Sequence, residues 1–337
     1  MAVVKTDRQS DTLERAEVLI RTVCLFAGSV SFLSDIETEI RTAGLSKAVA
    51  EHDTDRIYNW LVTTFSYQGI SDQVARGYME RHGTATWAEL QQALKARCSC
   101  PKLRSYWHYE GCRYDKGSRT CSEPGHIDAC PVPRPLLRNG RLNQTAFSLF
   151  LFLRDIADGD VVGWVDRQLE AASVPHGGDP LAAGQEALIG PLRHVYGVAD
   201  KVLAMALSTL LMGVPDERPN WFKTGAAMLA IDTLVHNFLH RTGILQDCGA
   251  PHQYGVACYG SGGCAEVIRR ISDRIDARGF NPAFPVDFPR FVQHAIWRFC
   301  AADGLNVCNG NKIDDDRGCQ SAYCRLGPKC SRIPIKP

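Results

Sequence analysis

The chain has 337 residues, 45% of them hydrophobic, with 38 Lys+Arg against 37 Asp+Glu and a formal net charge of +1. There is enough apolar material for a real core, and the length suggests about two domains. The near balance of charge leaves any nucleic-acid contact to a local basic patch. No apolar run is long and charge-free enough to span a membrane. Asp7, Asp11, Glu14 and Glu17 stand where a secretory signal needs a basic segment, so no export is expected.

Helical periodicity begins at 12–28 (Leu13, Ala16, Leu19, Ile20, Val23, Cys24), with Cys24 on the apolar face as a core thiol. A weaker helix is expected over 35–50, then a clear one carrying Ile57, Trp60, Leu61, Thr64 and Phe65. That helix stops at Ser66–Asp72, where Gly69 ends it and Ser71 caps the next, which runs to about His82. Thr86 caps another, Trp87 to Ala96. The stretch 98–140, rich in Cys, Gly and Pro, then interrupts the pattern; without a staple it would not order. Helices resume at 144–155, 161–171, 182–194, 202–211, 228–236, 266–277 and 288–300. No strand pattern and no internal repeat stand out, so the expected class is all-α.

The fourteen cysteines cluster, with five in 98–130, three in 248–264, five in 300–330, and Cys24 alone. Disulfide scaffolds are short and loop-rich, whereas this chain is long and helix-patterned, which favours metal or iron–sulfur ligation. Cys98, Cys100, Cys112, Cys121 and Cys130, with His108 and His126 among them, admit structural zinc first, a second cluster next, and uncommitted thiols third. The same insert interleaves Tyr106, Trp107, Tyr109 and Tyr114 with Lys and Arg, a composition that suits a nucleic-acid contact or a solvated metal loop. Cys248, Cys258 and Cys264 can form a further site with Cys300.

Between two expected helices lies Tyr196-Gly197-Val198-Ala199-Asp200-Lys201. Gly197 allows a tight turn, and the N–H groups opening the next helix form an anion site suited to phosphate. An ordinary helix–helix turn reads the same way. This hairpin resembles that of the helix–hairpin–helix DNA glycosylase superfamily, in its endonuclease III-like branch. Ala199 stands where that family has its second glycine. Ala230-Ile231-Asp232-Thr233 resembles the family's Val-Asp-Thr-His helix, His240-Arg241-Thr242 its Asn-Arg ending, and Phe65–Asp72 its Leu-Ser-x-Gln-x-x-x-Asp segment. Cys308, Cys319, Cys324 and Cys330, after the helix ending at Cys300, fall where the family has its [4Fe–4S] loop, with longer first and second gaps. A four-cysteine zinc site is the alternative. The resemblance covers about 54–97, 143–245 and the tail, but not the insert.

The resemblance implies two helical lobes: 54–215, ending in the hairpin and carrying the insert 98–140, and 1–53 with 216–337, carrying the iron–sulfur loop. It implies a DNA N-glycosylase with abasic-site lyase activity. Lys201 would be the amine nucleophile that forms a Schiff base, and Asp232 the carboxylate that stabilises positive charge on the sugar. Taken singly, Lys201 also reads as a phosphate contact and Asp232 as a helix N-cap. Gln68 would fill the gap left by a flipped base. Gly197, Ala199 and His236 would touch DNA, although a polar helix face in solvent explains His236 equally. The expected partner is double-stranded DNA with a damaged or modified base, bound by a monomer in a bacterial cytoplasm or a nucleus. The alternatives are a monofunctional glycosylase for a modified base, which does not need Lys201, and a non-catalytic metal-stapled DNA-binding protein.

Overall fold

The apolar periodicity of the sequence is realised as helix almost throughout. A computed structural model describes residues 3–70, 72–95, 100–126, 128–173, 180–214, 218–308 and 324–335. In chain order its helices are α1 (Val3–Ala27), α2 (Phe32–Thr42), α3 (Leu45–Ala50), α4 (Thr54–Phe65), α5 (Asp72–His82), α6 (Trp87–Lys95), α7 (Tyr106–Tyr109) and α8 (Asn143–Asp155). They continue as α9 (Val161–Ala172), α10 (Pro180–Leu192), α11 (Asp200–Met212), α12 (Pro219–Ala227), α13 (Thr233–Arg241), α14 (Ile244–Asp247), α15 (Cys264–Ser272) and α16 (Pro289–Cys300). The fold class is all-α. Among the described residues the only strands are the two-residue hairpin β1 (Tyr114–Asp115) and β2 (Thr120–Cys121) inside the insert. No single helix among them is long and apolar enough to cross a membrane.

The chain forms two compact units, one of residues 1–36 with 225–337 and one of 37–224. These boundaries differ from the expected 54–215. Residues 37–53 join the second unit because α3 packs on α4. The expected helix 35–50 is two helices, broken at Gly44, whose φ of 71° lies in the left-handed region.

In the second unit α4 is the hub, packing against α3, α6, α8, α9 and α11. Asp53 caps it by accepting from Arg56 N. Tyr58, fully buried on α4, donates to Ala146 O at 3.0 Å. Its ring meets Trp87 at 5.4 Å, and Trp87 meets Phe150 at 4.2 Å, so α4, α6 and α8 share one aromatic core. In the first unit α1 lies along α16, with α13 and α15 against the same helix, and Phe284, Phe288 and Phe291 fill the centre. Cys24 is buried there, and burial pushes its thiol up to about 12, as suits a core residue.

Between the helices expected at 202–211 and 228–236, where no element is expected, the chain forms α12. Trp221, 2% exposed, donates from Nε1 to Asp166 Oδ1 at 2.7 Å, and Arg218 pairs with the same carboxylate. One isolated tryptophan anchors this segment, which periodicity does not register. Trp221→Ala should cost about 3–5 kcal/mol, chiefly through the cavity it leaves. Chemical denaturation followed by circular dichroism measures it, and a loss below 1 kcal/mol (a fully relaxed site) contradicts this anchoring.

Candidate functional site

Among the described residues, each unit gathers chemistry-bearing side chains. In the second unit the turn after α4 meets the turn before α11. Gln68 and Gly197 line one concavity of about 630 Å³, together with Lys116, Arg119, Arg138, Arg141, Asn139, Thr145 and Tyr196. Four of these side chains are cationic and none is a carboxylate.

The backbone around this concavity is unusual. Arg119, Arg138, Asn139, Gly140 and Gly197 have φ of 57°, 51°, 56°, 81° and 75°, a region that residues with a Cβ rarely adopt. Hydrogen bonds hold it there. Arg138 Nη1 donates to Gln68 O at 2.5 Å, Arg119 Nη1 to Asn139 Oδ1 at 2.8 Å, and Tyr114 Oη to Gly140 O at 2.9 Å. Burial, with the neighbouring Arg141, holds the Arg138 guanidinium below its usual range, the mark of cations crowded together without a counter-charge. The insert therefore builds part of this wall. Of its aromatic residues, Trp107 is exposed, while Tyr109 and Tyr114 are buried and hydrogen-bonded to backbone oxygens.

The hairpin itself joins α10 to α11. Tyr196 N donates to Ser148 Oγ at 3.0 Å, fixing the turn. Ala199 is the N-cap residue of α11 and offers no side-chain acceptor, so the first-turn N–H groups have no capping side chain. Lys201 is the second residue of α11, half-buried, and has no ion pair among the described residues. Its neighbour Asp200 is held by Arg193 Nε at 3.0 and 3.1 Å.

In the first unit α13 begins at Thr233 rather than at Met228; residues 228–232 are not helical. Asp232 is the N-cap, accepting from Val235 N at 2.9 Å. The Tyr259 hydroxyl brackets the preceding residue, accepting from Ile231 N at 2.9 Å and donating to Ile231 O at 3.3 Å. The buried Arg290 of α16 is within electrostatic reach of both Asp232 and Tyr259.

His236, expected to face DNA, points inward instead. Its ring is 6% exposed, with Nδ1 at 3.4 Å from Cys264 Sγ and 3.5 Å from Cys258 Sγ. His252 Nε2 lies 3.3 Å from Cys264 Sγ. The ligand atoms of His236, His252, Cys258 and Cys264 all fall within 4.8 Å of one another, a set that can hold a metal ion. Two of the thiols were expected here, but the remaining places go to the imidazoles rather than to Cys248 and Cys300. Cys248 sits instead near Arg270, Asp247 and Arg15. Cys300 is buried at the end of α16 and donates to Cys308, whose sulfur this bond holds towards thiolate, and Cys324 is also in electrostatic reach. Beside Cys308 stands Arg241, fully buried, with Nε, Nη1 and Nη2 lacking a partner among the described residues. Cys330 adjoins Arg241 O at 3.7 Å. Cys319 lies outside the described residues.

Cys98 also lies outside them. Of its cluster, Cys130 is within electrostatic reach of Cys121, Cys112 and Cys100. Cys112, Cys121 and Cys130 each accept from the backbone N–H two residues on, that of Tyr114, Glu123 and Val132 respectively.

No family model, curated protein or solved structure matches this chain. The residues missed in the sequence were His252, Arg138, Arg141, Tyr259 and Arg290. Only the loop position of His252, close to two cysteines, offered a signal for any of them. As N-caps Asn and Asp are nearly equivalent, whereas Ala loses about 1 kcal/mol. Asp232→Ala should therefore lower stability by about that amount more than Asp232→Asn, which keeps the cap while both lose the charge facing Arg290. Equal losses in thermal unfolding contradict the capping geometry.

Proposed function

We propose that this chain is a DNA N-glycosylase with abasic-site lyase activity, acting on a damaged or modified base in duplex DNA. The observation that carries the reading is the meeting of Gln68 and Gly197 at one cation-lined concavity. The motif resemblance assigns one of these residues to the gap in the duplex and the other to the phosphate backbone, and they are more than a hundred residues apart in the chain. The four cations supply the phosphate attraction that the net charge of +1 does not.

In this reading the Lys201 amine attacks the sugar carbon as the base departs with the electrons of the glycosidic bond. Opening of the C1′–O4′ bond, with O4′ taking up a proton, then gives the protonated imine, which acidifies the C2′ hydrogen so that its removal expels the 3′ phosphate by β-elimination. Asp232 balances the positive charge that grows on the sugar. Lys201 has no ion pair among the described residues that would hold its amine away from the sugar.

An iron–sulfur cluster fits the tail. We take Cys308, Cys319, Cys324 and Cys330 as its ligands, of which Cys319 lies outside the described residues, and Cys300 donates to Cys308 beside them. Buried guanidinium donors need an anionic partner, and Arg241 stands beside these thiols with three nitrogens unpaired among the described residues. When bound, such a group supplies a cross-link and fixed negative charge that order the tail against α13. Backbone bonds already run from Ser331 N to Thr242 O and from Ile333 N to Arg241 O.

Borohydride should trap a covalent adduct between the wild-type chain and duplex DNA carrying a suitable lesion. Lys201→Ala should abolish trapping, and Asp232→Asn should abolish base release while leaving DNA binding intact. Trapping that survives Lys201→Ala removes that residue from the nucleophile's role, and failure across a broad lesion panel overturns the reading. Arg119→Ala or Arg141→Ala should also weaken binding to mixed-sequence duplex. The slope of log affinity against log salt should fall by about 0.9 for each phosphate that is no longer neutralised; an unchanged slope in titrations places the DNA elsewhere.

A further inference from the structure

A second metal centre, unrelated to the tail, is written into the geometry between α13 and the loop before α15. We infer that His236, His252, Cys258 and Cys264 bind one structural zinc ion. A tetrahedral zinc with bonds of about 2.3 Å to sulfur and about 2.05 Å to nitrogen separates its N and S ligands by about 3.5 Å. The observed N···S separations are 3.3, 3.4 and 3.5 Å. Two soft thiolates and two imidazoles in a tetrahedral set are donors suited to zinc.

The surroundings prepare the ligands. His252 Nδ1–H donates to Ala250 O at 2.7 Å, which turns the Nε2 lone pair towards the site, the usual outer-shell device for a ligating histidine. Cys258 and Cys264 are fully buried and His236 nearly so, leaving little access for water or substrate. Four protein ligands in a closed site describe a structural ion rather than a catalytic one. The loop that brings the thiols together is wound too tightly for other residues. Gly255 has φ 147° and Gly262 φ 72°, and a Cβ on Gly263 would overlap the carbonyl oxygens of Ala257 and Cys258. Between 249 and 263 the chain has only one short 3-10 turn, so helical hydrogen bonding does not order it.

The ion fixes more than the loop. Tyr259 follows the ligand Cys258 directly, and its hydroxyl grips both polar atoms of the Ile231 backbone. Zinc thereby sets the entry of α13, where Asp232 stands. Tyr259 is thus a positioning residue for Asp232, a role that rests on the glycosylase reading, whereas the zinc site itself does not.

The test is zinc and iron per chain, measured by mass spectrometry on the full-length protein dialysed against EDTA. The insert cysteines have zinc-binding capacity of their own, so the difference between proteins is read, not the total. His252→Gln and Cys258→Ser should each carry one zinc fewer per chain than wild type, with iron unchanged and far-UV circular dichroism retained. Equal zinc in wild type and variants overturns the site. Should a variant lose its helical signal, Cys258→His decides instead. It keeps four ligands, so zinc should be retained, and cobalt exchanged into it should keep four-coordinate visible bands with weaker sulfur charge transfer than wild type. Charge transfer undiminished in Cys258→His also overturns it. Hydrogen exchange of the Ile231 amide should quicken when His252→Gln removes the ion; unchanged protection overturns the positioning role. Zinc lost on schedule in a chain that never forms a borohydride adduct leaves this site standing and removes the glycosylase reading.

Discussion

Ordering backbone that makes no helical hydrogen bonds carries an entropy penalty of about 1–2 kcal/mol per residue, and this constraint governs the molecule. Most of the chain meets it by burying helices. Among the described residues, two stretches with little helix gather thiols, the insert up to 142 and the loop from 248 to 263, and in the second two imidazoles join them. The tail repeats the pattern with Cys300, Cys308 and a buried arginine. Helices provide the frame, and the soft side chains collect where the helical frame is interrupted.

Helices were legible because a buried stripe recurs at a fixed period, as in α4, α8 and α16. Legibility failed where one residue decides. Trp221, with Arg218, fastens α12 to Asp166 of α9, a partner about fifty residues away in sequence that no local pattern announces. Asp232 falls inside the apolar run from Met228 where a helix was expected, but it is the N-cap that its carboxylate, taken singly, also suggested, and the helix α13 starts only at Thr233. His236 and His240 share a face by spacing, which resembles a solvated polar stripe. The thiols that bury His236 come from a loop more than twenty residues later and are invisible to helical periodicity.

The basic concavity shows the same division. Gln68 and Gly197 could be picked from local motifs, since each sits in a turn with its own grammar. Arg138 and Arg141 could not, because their relevance comes from the turn that closes the insert and returns the chain to α8. Net charge was equally silent. A chain at +1 can still gather four cations with no acid among them, since composition fixes the sum of charges and folding fixes their neighbours.

Residues 138–140 run with positive φ one after another, a short turn of the wrong hand for L-amino acids. Glycine at 138 would relax that backbone, but it would also cut the hydrogen bond by which the end of the insert holds the turn after α4, so the same residue that makes the turn strained is what ties two distant segments of the unit together.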